Sequence, residues 1–194
     1  MMPNWCMDSI TFFPGEAGNL GSLEQLQKDF ETAMTTIEEG ANNWIGRLLV
    51  YKGMSLEEVE IECRSFVDYY SSLQEVHDDD CFVIETSSAW GPMTEMYDWM
   101  AKTYELEYVL CAEEPGCQVY VNTDTEGNYY QDRYYISFEE EDEEELDDPY
   151  CESFEQVIQT LKENTPLPVT ETMTLDELNQ LHEDLTVYEF LTSF

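Results

Sequence analysis

Apolar residues recur at spacings of three and four through Leu23, Leu26, Phe30, Met34 and Ile37, which predicts a helix with one apolar face. Ser22 with Gln25 reads as its capping pair and Gly40 as its end. Before it, Trp5 to Phe13 is rich in β-formers and runs into Pro14-Gly15, a strand closed by a turn. Residues 42–51 read as a short buried helix, and Ser55 with Glu58 as a further capping pair. Strands are predicted over 61–70 and 81–86, with an exposed turn at Asp78, Asp79 and Asp80 between them. From Pro92, Met93, Met96, Tyr97 and Met100 share one helical side, read as core packing by adaptable thioethers. Three strands follow at 106–111, 118–121 and 129–138, with turns at 114–116 and 122–127. Ser153 with Gln156 and Thr174 with Glu177 start two last helices. Their stripes are Phe154, Val157, Ile158, Leu161 and Leu175, Leu178, Leu181 or Leu185, separated by Pro166-Leu167-Pro168.

The order strand, helix, strand, strand, helix, strand is the split β-α-β pattern. The expected fold class is α+β, a ferredoxin-like antiparallel sheet with helices on one face, plus an added hairpin and C-terminal helices. The expected division is a domain over 2–138, an acidic loop over 139–150 and a helical appendage over 151–194.

Charge changes this picture most. The 194 residues carry 44 acids against 7 Lys and Arg, a net charge of −37. With 42% hydrophobic residues and 13 Tyr, the chain is still too apolar for a disordered acidic polymer. A surface of this sign repels phosphate, which excludes direct nucleic-acid and anionic-membrane binding. No run approaches a membrane span or a secretion signal, so the expected location is cytoplasmic. Self-repulsion makes a monomer the default.

Candidate chemistry is sparse. Six cysteines form no C-x-x-C pair and are expected as thiols in a reducing compartment. His77 and His182 lie in acidic surroundings, away from any nucleophile motif. Phosphate-binding glycine loops and metalloprotease, hydrolase or deaminase signatures are missing. Asn122, Asp124, Glu126 and Gly127 match the first half of an EF-hand loop, but Arg133 stands at its twelfth position, so the segment reads as a hairpin turn. The expectation is no enzyme, no cofactor and no metal, apart from loose cation binding by the acidic run.

Met2-Pro3-Asn4-Trp5-Cys6 before a strand resembles the opening of the YubB ferredoxin-like family, proteins of plasmids, phages and other mobile elements. Asn43-Trp44-Ile45-Gly46, Cys63-Arg64, Ser88-Ala89-Trp90-Gly91 and residues 114–120 resemble related proteins, so the similarity covers roughly 2–138. Asp8 stands where the family more often shows Asn. The resemblance implies a fold and a mobile-element setting, without a catalytic set.

Nine of the ten residues from 139 to 148 are acidic: Glu139, Glu140, Glu141, Asp142, Glu143, Glu144, Glu145, Asp147 and Asp148. A chain of this mass exposes about 9,500 Å², or about 260 Å² per net charge if spread evenly. Duplex DNA has about 107 Å² per charge, so phosphate mimicry requires the acids to be segregated. Residues 98–194 hold 26 acids against 3 basic residues, and 1–97 hold 18 against 4. Glu24, Glu31, Glu38, Glu57 and Glu58 are expected to point outward.

The expected function is a nonenzymatic inhibitor that blocks a basic nucleic-acid-binding protein, such as a CRISPR effector or restriction enzyme. The expected contact residues are Asp78, Asp79, Asp80, the nine acids and Tyr150. Tyr129, Tyr130, Tyr134 and Tyr135 are further candidate anchors, with alternate-face sheet packing as the competing reading. The alternative is an acidic accessory or scaffold protein whose charge serves solubility, including at high salt.

Overall fold

The computed structural model describes residues 4–15, 19–38, 43–55, 61, 63–138, 146 and 149–193. By its contacts the chain falls into two compact units, 1–119 and 120–194. That division precedes the strand expected to close the first domain at 138.

The first unit contains β1 (Trp5–Phe13), α1 (Leu20–Thr36), α2 (Arg47–Tyr51), β2 (Ser65–Tyr70), α3 (Leu73–Asp79), β3 (Phe82–Ala89), α4 (Thr94–Tyr104) and β4 (Glu107–Glu114). A five-stranded sheet has the order β2-β3-β1-β4-β5, with β5 (Val119–Asn122) lying across the division. Neighbouring β1, β2, β3 and β4 pair antiparallel, which is the split β-α-β topology.

Alternation along β1 sends Cys6, Asp8, Ile10 and Phe12 inward and Trp5 and Met7 outward. Register then grades the inner face. Phe12 opposes Phe82 and Tyr108, and Ile10 opposes Ile84 and Leu110, giving an apolar half. Asp8 opposes Thr86 and Ala112, and Cys6 opposes Ser88, giving a polar half. Helix α1 buries Leu23, Leu26, Phe30 and Ala33, its Phe30 ring lying edge-on to Phe82 at 5.6 Å. Each such large side chain contributes about 1.5–3 kcal/mol on burial. Helix α4 buries Met96, Tyr97, Met100, Ala101 and Tyr104.

The polar half is a closed hydrogen-bonded cluster. Asp8 Oδ2 accepts from Tyr97 at 2.5 Å, Ser88 at 2.6 Å and Thr86 at 3.3 Å, and Ser88 also donates to Ser65 at 2.8 Å. Asp8 Oδ1 has no hydrogen-bond partner in the geometry, although the Cys6 thiol acts on the same carboxyl. Burial pushes the Asp8 carboxyl above its ordinary range, while the four donors pull it back only in part.

The second unit has a three-stranded antiparallel sheet of order β7-β6-β8: β6 (Tyr134–Phe138), β7 (Tyr150–Cys151) and β8 (Leu185–Glu189). Helices α5 (Phe154–Asn164) and α6 (Leu175–Leu178) supply Val157, Ile158, Leu161 and Leu178 to a core shared with Ile136, Cys151, Leu185 and Val187.

Several expectations need correction. Helix α1 is capped by Asn19, whose Oδ1 accepts from Gly21 N–H, and not by Ser22, and it ends at Thr36, short of Gly40. The strand expected from 129 begins at Tyr134. The strand expected from 61 begins at Ser65. The expected turn at 78–80 is the end of helix α3, which starts on a capping box between Ser72 and Glu75. The last helix stops after one turn, because the Asn179 amide bonds both main-chain groups of Val187. Leu185 therefore lies in β8, where Thr186, Val187 and Tyr188 favour a strand over a helical stripe. Gly40 and Glu58 lie outside the described residues.

Asp8→Asn removes one titration and keeps an acceptor for the three hydroxyls. Because the folded pKa is raised, Asp8 contributes most below its unfolded pKa of about 3.9, and that contribution is lost as pH rises through the folded value. Urea unfolding of both proteins from pH 4 to 8 should show the variant gaining on the wild type as pH rises. A difference that stays flat with pH overturns this assignment.

Candidate functional site

Of the 29 acidic side chains among the described residues, 21 are exposed and four are buried: Asp8, Asp29, Glu114 and Asp124. Each buried one is held by several donors, as carboxylates in a low dielectric require. Asp29 accepts from Lys52 at 2.9 Å, Tyr104 at 2.9 Å and Gln25 at 2.8 Å. Burial raises its pKa, but these partners outweigh burial and hold it below the ordinary value. Glu114 caps the turn at 115–117 by accepting from the Gly116 and Cys117 N–H groups.

Arg47 is buried and Arg133 half-buried, while the other five cations are exposed. Lys28 pairs with Glu24 at 2.8 Å and Lys162 with Glu171 at 3.2 Å, while Lys52 lies 5.0 Å from the Tyr104 ring centre. Arg47 is buried and donates to the Met34 carbonyl. Arg133 donates to the carbonyls of Tyr130, Asp132 and Asp124. Seven cations could offset no more than seven of 21 exposed carboxylates, and these two arginines serve main-chain oxygens. The outward field is therefore strongly negative.

Asp78 and Asp79 occupy the last turn of α3, and Asp80 is its left-handed C-cap at φ 52°; all three are exposed. Asp78 accepts from Gln74 at 2.9 Å. Glu139 to Glu145, Asp147 and Asp148 lie outside the described residues. That run is flanked on both sides by strands of the second sheet. It connects β6 to β7, neighbouring strands in which Tyr135 opposes Tyr150. Leu146, its one apolar residue, packs against the core of this unit, and the Pro149 carbonyl accepts from Ile136 N–H at 2.9 Å.

The pleat splits the expected tyrosine set. Tyr135, Tyr150 and Tyr188 form an aromatic group with Tyr120, whose ring stacks on Tyr188 at 4.4 Å. Tyr134 turns to the other face against Phe154 at 5.7 Å, where it packs on the core. Tyr129 is 40% exposed in the β5–β6 connection.

That connection is built on Asp124. Its Oδ1 accepts from Gly127 N–H at 3.1 Å, and Oδ2 from Tyr129 at 2.6 Å and Tyr130 at 2.9 Å. Burial raises the Asp124 pKa, but these backbone donors prevail and leave it below the ordinary range. Asn122 donates to the carbonyls of Tyr130 and Asp132 and accepts from Asp124 N–H. Oxygens that a calcium loop would aim at an ion here hold the main chain.

Among the described residues no three His, Cys, Asp or Glu side chains are grouped as metal ligands. The histidines sit beside carboxylates, His77 3.9 Å from Glu24 and His182 3.4 Å from Asp184, and none of the six cysteines forms a disulfide. A groove of about 720 Å³ along α5 is floored by Phe154 and Ile158 and rimmed by Glu155, Glu163, Glu171 and Lys162. It brings no nucleophile to a base. No helix among the described residues is long and apolar enough to cross a membrane.

One exposed feature was not expected from the sequence. At one corner of the five-stranded sheet, Trp5 is 44% exposed, Met7 66% and Trp90 41%. The strand reading placed Trp5 and Met7 in β1 without assigning a face, because apolar residues occupy both parities there. Comparison with family models, curated proteins and solved structures finds no match to this chain.

Replacing Asp124 with Ala leaves the N–H groups of Gly127, Tyr129 and Tyr130 without their acceptor. The expected cost is about 1–3 kcal/mol by chemical denaturation, with faster amide exchange at these three positions. Because the folded pKa is depressed, the wild-type advantage is present above the ordinary carboxyl range and fades as pH falls through the folded value. Unchanged exchange in the variant would contradict the assigned role.

Proposed function

We propose that this protein is a nonenzymatic inhibitor that occupies the nucleic-acid-binding surface of a basic protein, its carboxylates taking the place of phosphates. The observation that carries this reading is the division of labour among charges. Four acids are buried and serve the fold, two arginines bind main-chain carbonyls, and 21 of the described acids face solvent. A role in solubility alone gives no reason to keep so much self-repulsion, whereas a Lys- and Arg-lined groove does.

Segregation supports the same reading. Residues 120–194 hold 21 acids against Arg133 and Lys162, whereas 1–119 hold 23 against five basic residues. Nine of those 21 belong to the one connection between the neighbouring strands β6 and β7. Such a source of field speeds encounter with a basic surface and makes it salt-sensitive. The resemblance to mobile-element proteins directs the proposal to a host-defence target, a CRISPR effector or a restriction enzyme, and to a cytoplasmic setting.

The test is affinity capture from a host lysate at two salt concentrations, followed by nucleic-acid competition. A discrete basic protein displaced by nucleic acid is the expected result. Replacing the nine acids of 139–148 with Gln and Asn should weaken that complex at least about tenfold and flatten its salt dependence, with the fold retained or stabilised. Nonspecific capture of many basic proteins, all released together by moderate salt, would favour the accessory or scaffold role.

A further inference from the structure

The exposed corner of the five-stranded sheet has a composition that the charge argument does not explain. Trp5 and Met7 lie on the outer face of β1, and Trp5 meets Phe66 of β2 edge-on at 5.8 Å. Ser87 of β3 stands between Phe66 and Met7 in the register and donates to Asp68 at 2.6 Å. Glu85, two residues before Ser87 on the same face, is exposed, as is Asp68. Trp90 follows β3 directly, and its N–H bonds the Asn4 carbonyl. Arg64, the cation nearest in the chain to this corner, is itself engaged.

Trp90 has φ of 73°, a left-handed conformation that a bulky side chain adopts only at a cost in strain. The structure bears that cost and leaves the indole 41% exposed, a pairing typical of functional strain. Two exposed indoles and an exposed thioether also lie at this one end of the sheet, on an otherwise polar surface.

We propose that this corner is a docking site for arginine side chains of the basic partner, an assignment that rests on the inhibitor reading above. A guanidinium lies flat on an indole face and bonds a carboxylate in the same plane with two N–H groups. Trp5 and Trp90 supply the faces, and Asp68, bonded by Ser87 between Met7 and Phe66, supplies the carboxylate. Charge complementarity selects this occupant. A second copy would bring another net charge of −37 to the surface, and phosphate-bearing ligands are repelled. The acids provide long-range attraction, and the corner provides preference for Arg over Lys, which a field alone cannot give.

The probes are octa-arginine and octa-lysine, titrated into the full-length protein at physiological ionic strength with tryptophan emission as the readout. Trp44 and Trp99 are less exposed, so quenching reports mainly the corner. Octa-arginine should bind about threefold to tenfold tighter than octa-lysine and quench the emission. Trp5→Ala and Trp90→Ala should abolish that preference while leaving octa-lysine affinity unchanged, with melting curves checking the fold. Met7 is 66% exposed, so Met7→Lys leaves the core intact and should weaken octa-arginine binding.

An arginine preference that survives both tryptophan replacements overturns the proposal, as does a concentration-dependent dimer that Trp5→Ala dissolves. Failure of the underlying reading looks different: the preference stands, but nucleic acid displaces no captured partner. If displacement is seen and the preference is absent, the corner alone is refuted.

Discussion

Mutual repulsion among carboxylates is the constraint around which this structure is organised. With 44 acids and seven cations, neutralisation alone cannot hold the chain together, and most fixed points come from apolar burial or from hydrogen bonds. Where a carboxylate enters the interior it is surrounded by donors: hydroxyls at Asp8, an ammonium and a phenol at Asp29, and main-chain N–H groups at Glu114 and Asp124. The same scarcity governs the basic residues. Arg133 binds three carbonyls of the β5–β6 connection, so a cation that would relieve surface repulsion instead fixes the main chain.

The inner face of the five-stranded sheet extends this logic into the core. Its apolar half, at Phe12, Ile10, Ile84 and Leu110, drives collapse without specifying direction. The polar half adds direction, because Tyr97 reaches Asp8 only when α4 lies in one place along the sheet and β1 and β3 are in one register. A slip of one residue would turn Asp8 to the other face and separate it from Ser88 and Thr86. Hydrogen-bonded polar groups in a core can specify a unique arrangement in this way.

Legibility followed periodicity. Helices α1, α4 and α5 and the antiparallel sheet were readable because their apolar spacing is regular and long. Short elements were not. Helix α3 buries only Val76, and its start depends on Ser72 and Glu75, a pair lying in what read as a loop. Strand β8 was obscured by leucines at spacings that also suit a helix, and Asn179 decides the matter through a contact eight residues away. The acidic run was evident from composition, but its attachment to neighbouring strands is a tertiary fact. The tyrosines from 129 to 150 looked like one group, and the pleat divides them. Trp5 and Met7 alternate with Cys6 and Asp8 in a stretch apolar on both parities, so the sequence offered no way to choose which pair faces outward.

Strand β2 forms one edge of the five-stranded sheet, and its register jumps between Val67 and Tyr69, leaving Asp68 as an extra residue in the pairing. A bulge at an edge, marked by a charge, spoils the template that another chain would need to extend the sheet. Recruitment by strand addition is disfavoured there, for foreign peptides and for further copies alike. Whatever engages this face must do so through side chains standing off the sheet, so its selectivity is written in chemistry at the surface and not in main-chain complementarity.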